Sequence, residues 1–235
     1  MTNSKQIEMT MRDMLFVTWA VHPERARKVI GERLELDTKT DSTGREFAFA
    51  SAVCFSVAEV RSSVLPIGRL SFEQVNYRVY VKADEVPAVC FLDLKVNSRM
   101  ITTLTGFIGV PIHYEDIDIS ATGTNGGGVH YTVASAGLRA EATTAEPREE
   151  LPSTVDLAPD FITNRLVGYV LAGNGMLKIE VEQPGLDSVS ARVVRAQAPR
   201  LEQLGLLNSE ESTRPHSALY VREGSFGADM PTRES

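Results

Sequence analysis

A chain of 235 residues with 43% hydrophobic and 23% charged side chains can bury a sizeable core, in one large domain or at most two. Its net charge of -7 argues against a nucleic-acid footprint and against binding to anionic membranes, and no apolar run is long enough to span a bilayer. The opening MTNSKQIEMTMRDM lacks the apolar core of a signal peptide, so a cytoplasmic protein is expected. Cys54 and Cys90 sit in apolar runs and read as buried reduced thiols rather than a disulfide framework. Four scattered His residues without metal-ligand spacing give no metal centre.

Met1 to Arg12 is polar and reads as frayed or as an edge segment. Asp13 to Val21 is a short apolar strand. Pro23 suits a first helical turn, and Ala26, Val29, Ile30 and Leu34 mark a short amphipathic helix after it. Asp37 to Arg45 is a turn cluster. Phe47 to Val60 is a long strand with a large face (Phe47, Phe49, Val53, Phe55, Val57) and a small one (Ala48, Ala50, Ala52, Cys54, Ser56, Ala58). A strand without a charged side belongs to a sheet covered on both faces. Arg61 to Arg69 is a loop.

Ser71 to Lys82 is the next strand. Glu73 is in phase with Val75, Tyr77, Val79 and Val81, while Gln74, Asn76, Arg78, Tyr80 and Lys82 share the opposite face. A buried Glu73 would have a raised pKa, as a general acid or base near neutral pH requires. Asp84-Glu85 is a hairpin turn, and Pro87 to Lys95 returns as a strand.

Ser98 to Ile119 reads as a helix, a corner and a strand. Ser98 is a suitable N-cap. Met100, Ile101, Leu104, Phe107 and Ile108 recur at helical spacing, which predicts one buried face. Gly109 can take the left-handed conformation that ends a helix, and Pro111 forbids continuation. Beyond the corner, His113 and Glu115 share a face with Ile117 and Ile119, a combination expected at a pocket edge.

Thr122 to Gly128 is a glycine-rich hairpin tip; it lacks the order of a phosphate-binding loop. Val129 to Ala134 and Leu138 to Thr144 are strands, and Glu146 to Thr154 is a polar connector. Pro159 to Ala172 has helical spacing at Phe161, Ile162, Leu166, Tyr169 and Val170, with Gly173-Asn174-Gly175 as its end. Met176 to Glu182, Val189 to Arg195 and Ser217 to Arg222 are strands, Leu201 to Leu207 is a helix or turn, and residues 227–235 are expected to be a disordered tail. Many strands joined by turns, with three helices, predict an α+β architecture dominated by antiparallel sheet, as one domain over residues 1–226.

Several phrases, in order, resemble those of a group of uncharacterised conserved proteins in the acetoacetate decarboxylase-like superfamily. They are DMLFVTWAVHPERARKVIGERLELDT, FEQVNYRVYV with Glu73, Asn76 and Arg78, and NSRMITTLTGFIGVPIHYEDI. FITNRLVGYV and RPHSALYV match more weakly. The resemblance implies a double-layered, barrel-like or sandwich fold around a ligand cavity, and a homo-oligomer of two or more chains. The decarboxylases carry their Schiff-base lysine in a Gly-aromatic-Pro-Lys phrase; the matching corner here is Gly109-Val110-Pro111-Ile112. Isoleucine cannot attack a carbonyl, so the cavity carries over and the decarboxylase chemistry does not.

The expectation is a cofactor-independent enzyme acting on a small or medium carbonyl or enol metabolite by acid-base catalysis, as a lyase, hydratase, isomerase or cyclase. Glu73 and His113 would move protons, with Arg99 or Glu115 orienting them; Arg99, at a helix start, would pair with an acid such as Glu73 or Glu115 or bind an anionic substrate group. Tyr77, Tyr114, Glu115 and His216 would contact substrate. The alternatives are a non-catalytic small-molecule binder that kept the cavity, and a Schiff-base decarboxylase using Lys95. Glu73, His113 and an arginine converging in the cavity would favour an enzyme; a purely apolar cavity with these residues outside it would favour the binder.

Overall fold

The protein is described from a computed structural model covering residues 6–63, 70–144, 155–172 and 175–234. The loop expected over 61–69, the connector at 146–154 and the Gly173-Asn174 turn lie wholly or largely outside these residues. β1 (Ile7–Val21) leads into α1 (Pro23–Ile30), and short β2 (Glu35–Leu36) and β3 (Lys39–Thr40) follow. Three long strands come next: β4 (Glu46–Ser62), β5 (Phe72–Ala83) and β6 (Val86–Val96). Then come α2 (Arg99–Phe107), β7 (Ile112–Tyr114), β8 (Asp118–Gly123), β9 (Val129–Ala134) and β10 (Arg139–Thr143). The last part holds α3 (Pro159–Thr163), β11 (Val167–Ala172), β12 (Gly175–Glu182), β13 (Ser188–Ser190) and β14 (Arg192–Gln197). It ends with α4 (Pro199–Gln203), α5 (Ser209–Ser212), β15 (Ser217–Ala228) and β16 (Thr232–Glu234).

The main sheet runs β15-β1-β4-β5-β6-β11-β12, and β12 pairs back to β15, so it closes into a ring. All ring pairings are antiparallel except β6 with β11. A second sheet, β14-β10-β9-β8, packs on the outside of the ring. The two faces of β4 explain this double layer. Ala48, Ala50, Ala52 and Cys54 turn outward and join Tyr131, Val133 and Leu138 of the second layer, together with Ala26 and Ile30 of α1. Small side chains let that layer approach closely, and the Tyr131 hydroxyl donates to the Cys54 carbonyl at 3.3 Å. Phe49, Val53, Phe55 and Val57 turn inward with Met11, Met14 and Phe16. Cys54 and Cys90 are buried and unpaired, and burial pushes both thiols up to about 12.

The central stretch folds as its residues dictate at both ends of the helix. The Ser98 hydroxyl accepts from the Ile101 N–H, and Gly109 has φ 75°. Asp84 and Glu85, both at positive φ, make the tight β5–β6 turn. Four expectations are corrected. The buried face of α2 is narrower than its spacing implied: Ile101 is buried and Leu104 and Ile108 half-buried, but Met100 is 51% and Phe107 81% exposed. The helix expected over Pro159–Ala172 stops at Thr163. Val167–Ala172 is a strand, because VGYVLA finds a parallel partner in β6 and an antiparallel one in β12, and ladder pairing outweighs local periodicity. Residues 7–12 are ring strand between β15 and β4, not an edge. Residues 227–234, expected as a disordered tail, complete β15 and supply β16, which pairs with β12.

Candidate functional site

The ring encloses a cavity of about 260 Å³ lined chiefly by apolar side chains. That is just under the lower end of the roughly 300–1,000 Å³ usual for small-molecule sites, so a dinucleotide would not fit. Phe16, Val53, Phe55, Val89, Phe91 and Leu94 form much of its wall, and Leu104 and Thr105 of α2, with Ile108, Val110 and Ile112 after it, cover one side. Ile112, at the corner that resembles the decarboxylase lysine phrase, thus faces the cavity with an alkyl group.

Three of the cavity's polar residues stand in a row on β5. Gln74, Asn76 and Arg78 occupy successive inward positions, and the Gln74 amide donates to the Asn76 Oδ1 at 2.6 Å. Arg78 is 9% exposed, and its Nη2 donates to the Ile162 carbonyl at 2.7 Å and to the Tyr80 hydroxyl at 3.3 Å. Its Nε is buried without a hydrogen-bond partner, and among the described residues no carboxylate pairs with it. The second arginine of the wall is compensated: Arg165 Nη1 meets Asp37 Oδ2 at 2.7 Å, and its Nε donates to the Phe161 carbonyl at 2.8 Å. Behind Arg78 the hydroxyls of Tyr80, Ser51 and Thr18 form a buried chain with 2.7 Å links. Arg78 is therefore a buried cation at the cavity wall with hydrogen-bonding capacity to spare, an arrangement suited to an anionic or carbonyl oxygen.

Glu73 lies outside this cavity. Its carboxylate, half-buried between the layers, accepts from the Ile119 N–H at 3.1 Å, and burial raises its pKa. His113, Tyr77, Glu115 and Lys95 gather instead around Asp93 on the outer side of β6. The buried Asp93 carboxylate holds Arg200 Nε at 2.6 Å, Lys95 Nζ at 3.2 Å and His113 Nδ1 at 3.2 Å. Glu115 accepts from the Gly137 N–H at 3.1 Å, and burial, with the charge of Glu115 second, raises the Tyr77 pKa. Arg99 stacks 4.1 Å above the Tyr114 ring at the surface and does not pair with Glu73 or Glu115. His216 Nε2 lies 2.8 Å from the Val155 carbonyl, and its ring meets Phe49 edge-on. None of the seven residues expected in the site lines the cavity, and neither does Lys95.

Gln74, Asn76, Arg78 and Arg165 are polar cavity residues that sequence reasoning did not place in the site; it read Gln74, Asn76 and Arg78 as one face of a strand, and Asn76 and Arg78 as part of a family phrase. A signal for Arg78 was present. β4 has no charged face, so its hairpin-like neighbour must also be covered on both sides, and any cation on its inward face is buried. Among the described residues no cluster of His, Cys, Asp or Glu could hold a metal ion.

A model of the DUF2071 family, described as "Uncharacterized conserved protein", matches residues 8–224. No curated protein sequence matches. Solved structures share the fold at low identity. MppR, an enduracididine biosynthesis enzyme complexed with the condensation product of pyruvate and imidazole 4-carboxaldehyde, has a TM-score of 0.63 at 14% identity, covering 98% of this chain and 90% of its own. Acetoacetate decarboxylase from Legionella pneumophila subsp. pneumophila str. Philadelphia 1 has 0.66 at 6%, covering 99% and 88%. An acetoacetate decarboxylase-like enzyme from Sphingomonas wittichii RW1 has 0.57 at 11%, covering 98% and 94%.

Proposed function

The chain belongs to the uncharacterised DUF2071 family and has an acetoacetate decarboxylase-like fold, and from that premise we propose that it is an enzyme that binds a small carbonyl or enol compound in the ring cavity. Arg78 receives the substrate's carboxylate or carbonyl oxygen. The observation that carries this reading is the Nε of Arg78, buried and unpartnered at a wall that is otherwise mostly apolar. A guanidinium fixed by the Ile162 carbonyl and the Tyr80 hydroxyl costs little to reorganise when charge develops beside it, which is how preorganised donors lower a barrier. Gln74 and Asn76 supply further polar contacts along the same strand. With Ile112 at the corner and Lys95 held by Asp93 outside the cavity, the chemistry proceeds without an imine.

The second reading is a non-catalytic binder, favoured by the position of Glu73 and His113 outside the cavity. One experiment addresses both. Binding of 2-oxobutanoate is followed by calorimetry, and exchange of its C3 protons is followed by NMR in deuterated water. Wild type should bind, and Arg78→Met, checked for folding by its melting curve, should lose about tenfold or more, the value of one charge-assisted hydrogen bond. Enzyme-dependent exchange supports catalysis, while binding without exchange supports the binder. Unchanged affinity in Arg78→Met would overturn the assignment of the site.

A further inference from the structure

The cavity is polarised along its length, and the strand register orders its lining. Arg78 pairs across to Ser51 at one end. Asn76 follows at the level of Val53 and Phe16, then Gln74 at the level of Phe55, then Phe72 and Met11 one step further, and finally Met9 opposite Val60. The six steps from Arg78 to Phe72 span roughly 20 Å of strand. Beyond Gln74 this path offers thioethers, phenyl rings and an isopropyl group; Gln183 and Asp229 return polarity only near β12 and the end of β15. Methionines line the wall at three places, Met9, Met11 and Met14, and their unbranched, flexible side chains adapt to a chain of variable shape.

We infer that the substrate is an amphipathic acid: a carboxylate or oxo-acid head at Arg78 and an unbranched apolar tail running along Phe55 and Met11. This rests on the reading of the ring cavity as the binding site and adds to it the class and orientation of the ligand. A compact polar acid would leave the methionine stretch unused. A neutral amphiphile would leave the Arg78 charge unanswered. Only a molecule with both parts satisfies the two ends.

The test is a calorimetric series of pyruvate, 2-oxobutanoate, 2-oxohexanoate and 2-oxooctanoate, with octan-2-one as the headless control. Affinity should rise by up to about fourfold for each added methylene until the tail stretch is full. Octan-2-one should bind at least tenfold more weakly than 2-oxooctanoate. Met11→Trp should weaken 2-oxooctanoate about tenfold while leaving 2-oxobutanoate within twofold of wild type; Val60→Phe serves if Met11→Trp does not fold. Equal affinity across the acids, still dependent on Arg78, would overturn the tail and leave the cavity reading standing. Octan-2-one binding as tightly as 2-oxooctanoate would overturn the orientation. If no member of the series binds, the cavity reading itself fails.

Discussion

At the scale of single residues, burial on opposite faces of β5 gives neighbouring polar groups opposite fates. Glu73, in phase with Val75 and Tyr77, turns toward the second layer, and Arg78, on the opposite face, turns into the ring. Burial is the largest influence on Glu73 and raises its pKa, and the Ile119 N–H opposes it. A carboxyl whose folded pKa is raised is favoured in its protonated form by folding. Its ionised form therefore costs stability above the folded pKa, and that cost disappears as pH falls below the unfolded pKa. Glu73→Gln keeps an oxygen for the Ile119 N–H and removes the charge. It should stabilise the protein slightly at pH 7, by no more than about 0.5 kcal/mol because the group is half exposed. The advantage should vanish near pH 4, and oxo-acid affinity should not change. Melting curves at the two pH values check this; a wild type more stable than the variant at pH 7 would mean that the ionised carboxylate stabilises this site.

At the scale of elements, β11 shows how closely strand packing defines the cavity. Gly168 pairs with Val89 of β6, and a Cβ placed on it would lie 2.5 Å from the Phe91 ring. Phe91 also lines the cavity. The glycine thus makes room for the ring that forms part of the wall, a close approach that no other residue permits. Gly168→Ala should displace Phe91, cost about 1–3 kcal/mol by overpacking, and weaken 2-oxobutanoate several-fold. A thermal shift paired with calorimetry separates the effects: loss of stability with unchanged binding would show that the ring moves away from the cavity. α2 acts differently. It covers the cavity through Leu104 and Thr105, with Ile108 just beyond its end, while Met100 and Phe107 face solvent, so its apolar spacing serves the cavity side only in part.

At the scale of the molecule, the ring is closed by its shortest seam. Between β12 and β15 only Val181 with Ala228 and Glu182 with Gly227 are in register. The β1–β4 seam runs from Ile7 with Ser62 to Val21 with Ala48. Val181 and Ala228 also line the cavity, so this closure determines whether the cavity has a complete wall. Cysteines placed at Val181 and Ala228 would lie on directly opposed antiparallel positions, near the geometry a disulfide accepts. The oxidised Val181→Cys/Ala228→Cys variant should be more stable than its reduced form by roughly 2–4 kcal/mol, since it constrains a long loop of the unfolded chain. Melting with and without reductant measures this. Identical curves, with the disulfide verified by mass, would mean that the seam is already open in solution.

What the sequence determined by itself was local or compositional. The charge balance, the β4 strand with one large and one small face, the Asp84-Glu85 turn, the Ser98 cap and the Gly109 corner all follow from side-chain size, backbone freedom and capping groups within a few residues. The ordered family phrases added the double-layered, mainly antiparallel fold. Tertiary structure alone decided which face of β5 lines the cavity. Alternation marks two faces, but when both are covered it cannot say which cover is a second sheet and which is a cavity. For that reason Glu73, His113, Tyr77 and Glu115, in phase with apolar residues, lie on the outer side of the wall, and Arg78 took the inward position. The same ambiguity turned Val167–Ala172 from a helical pattern into a strand, because its partners are β6 and β12, distant in sequence and joined to it only when the ring closes.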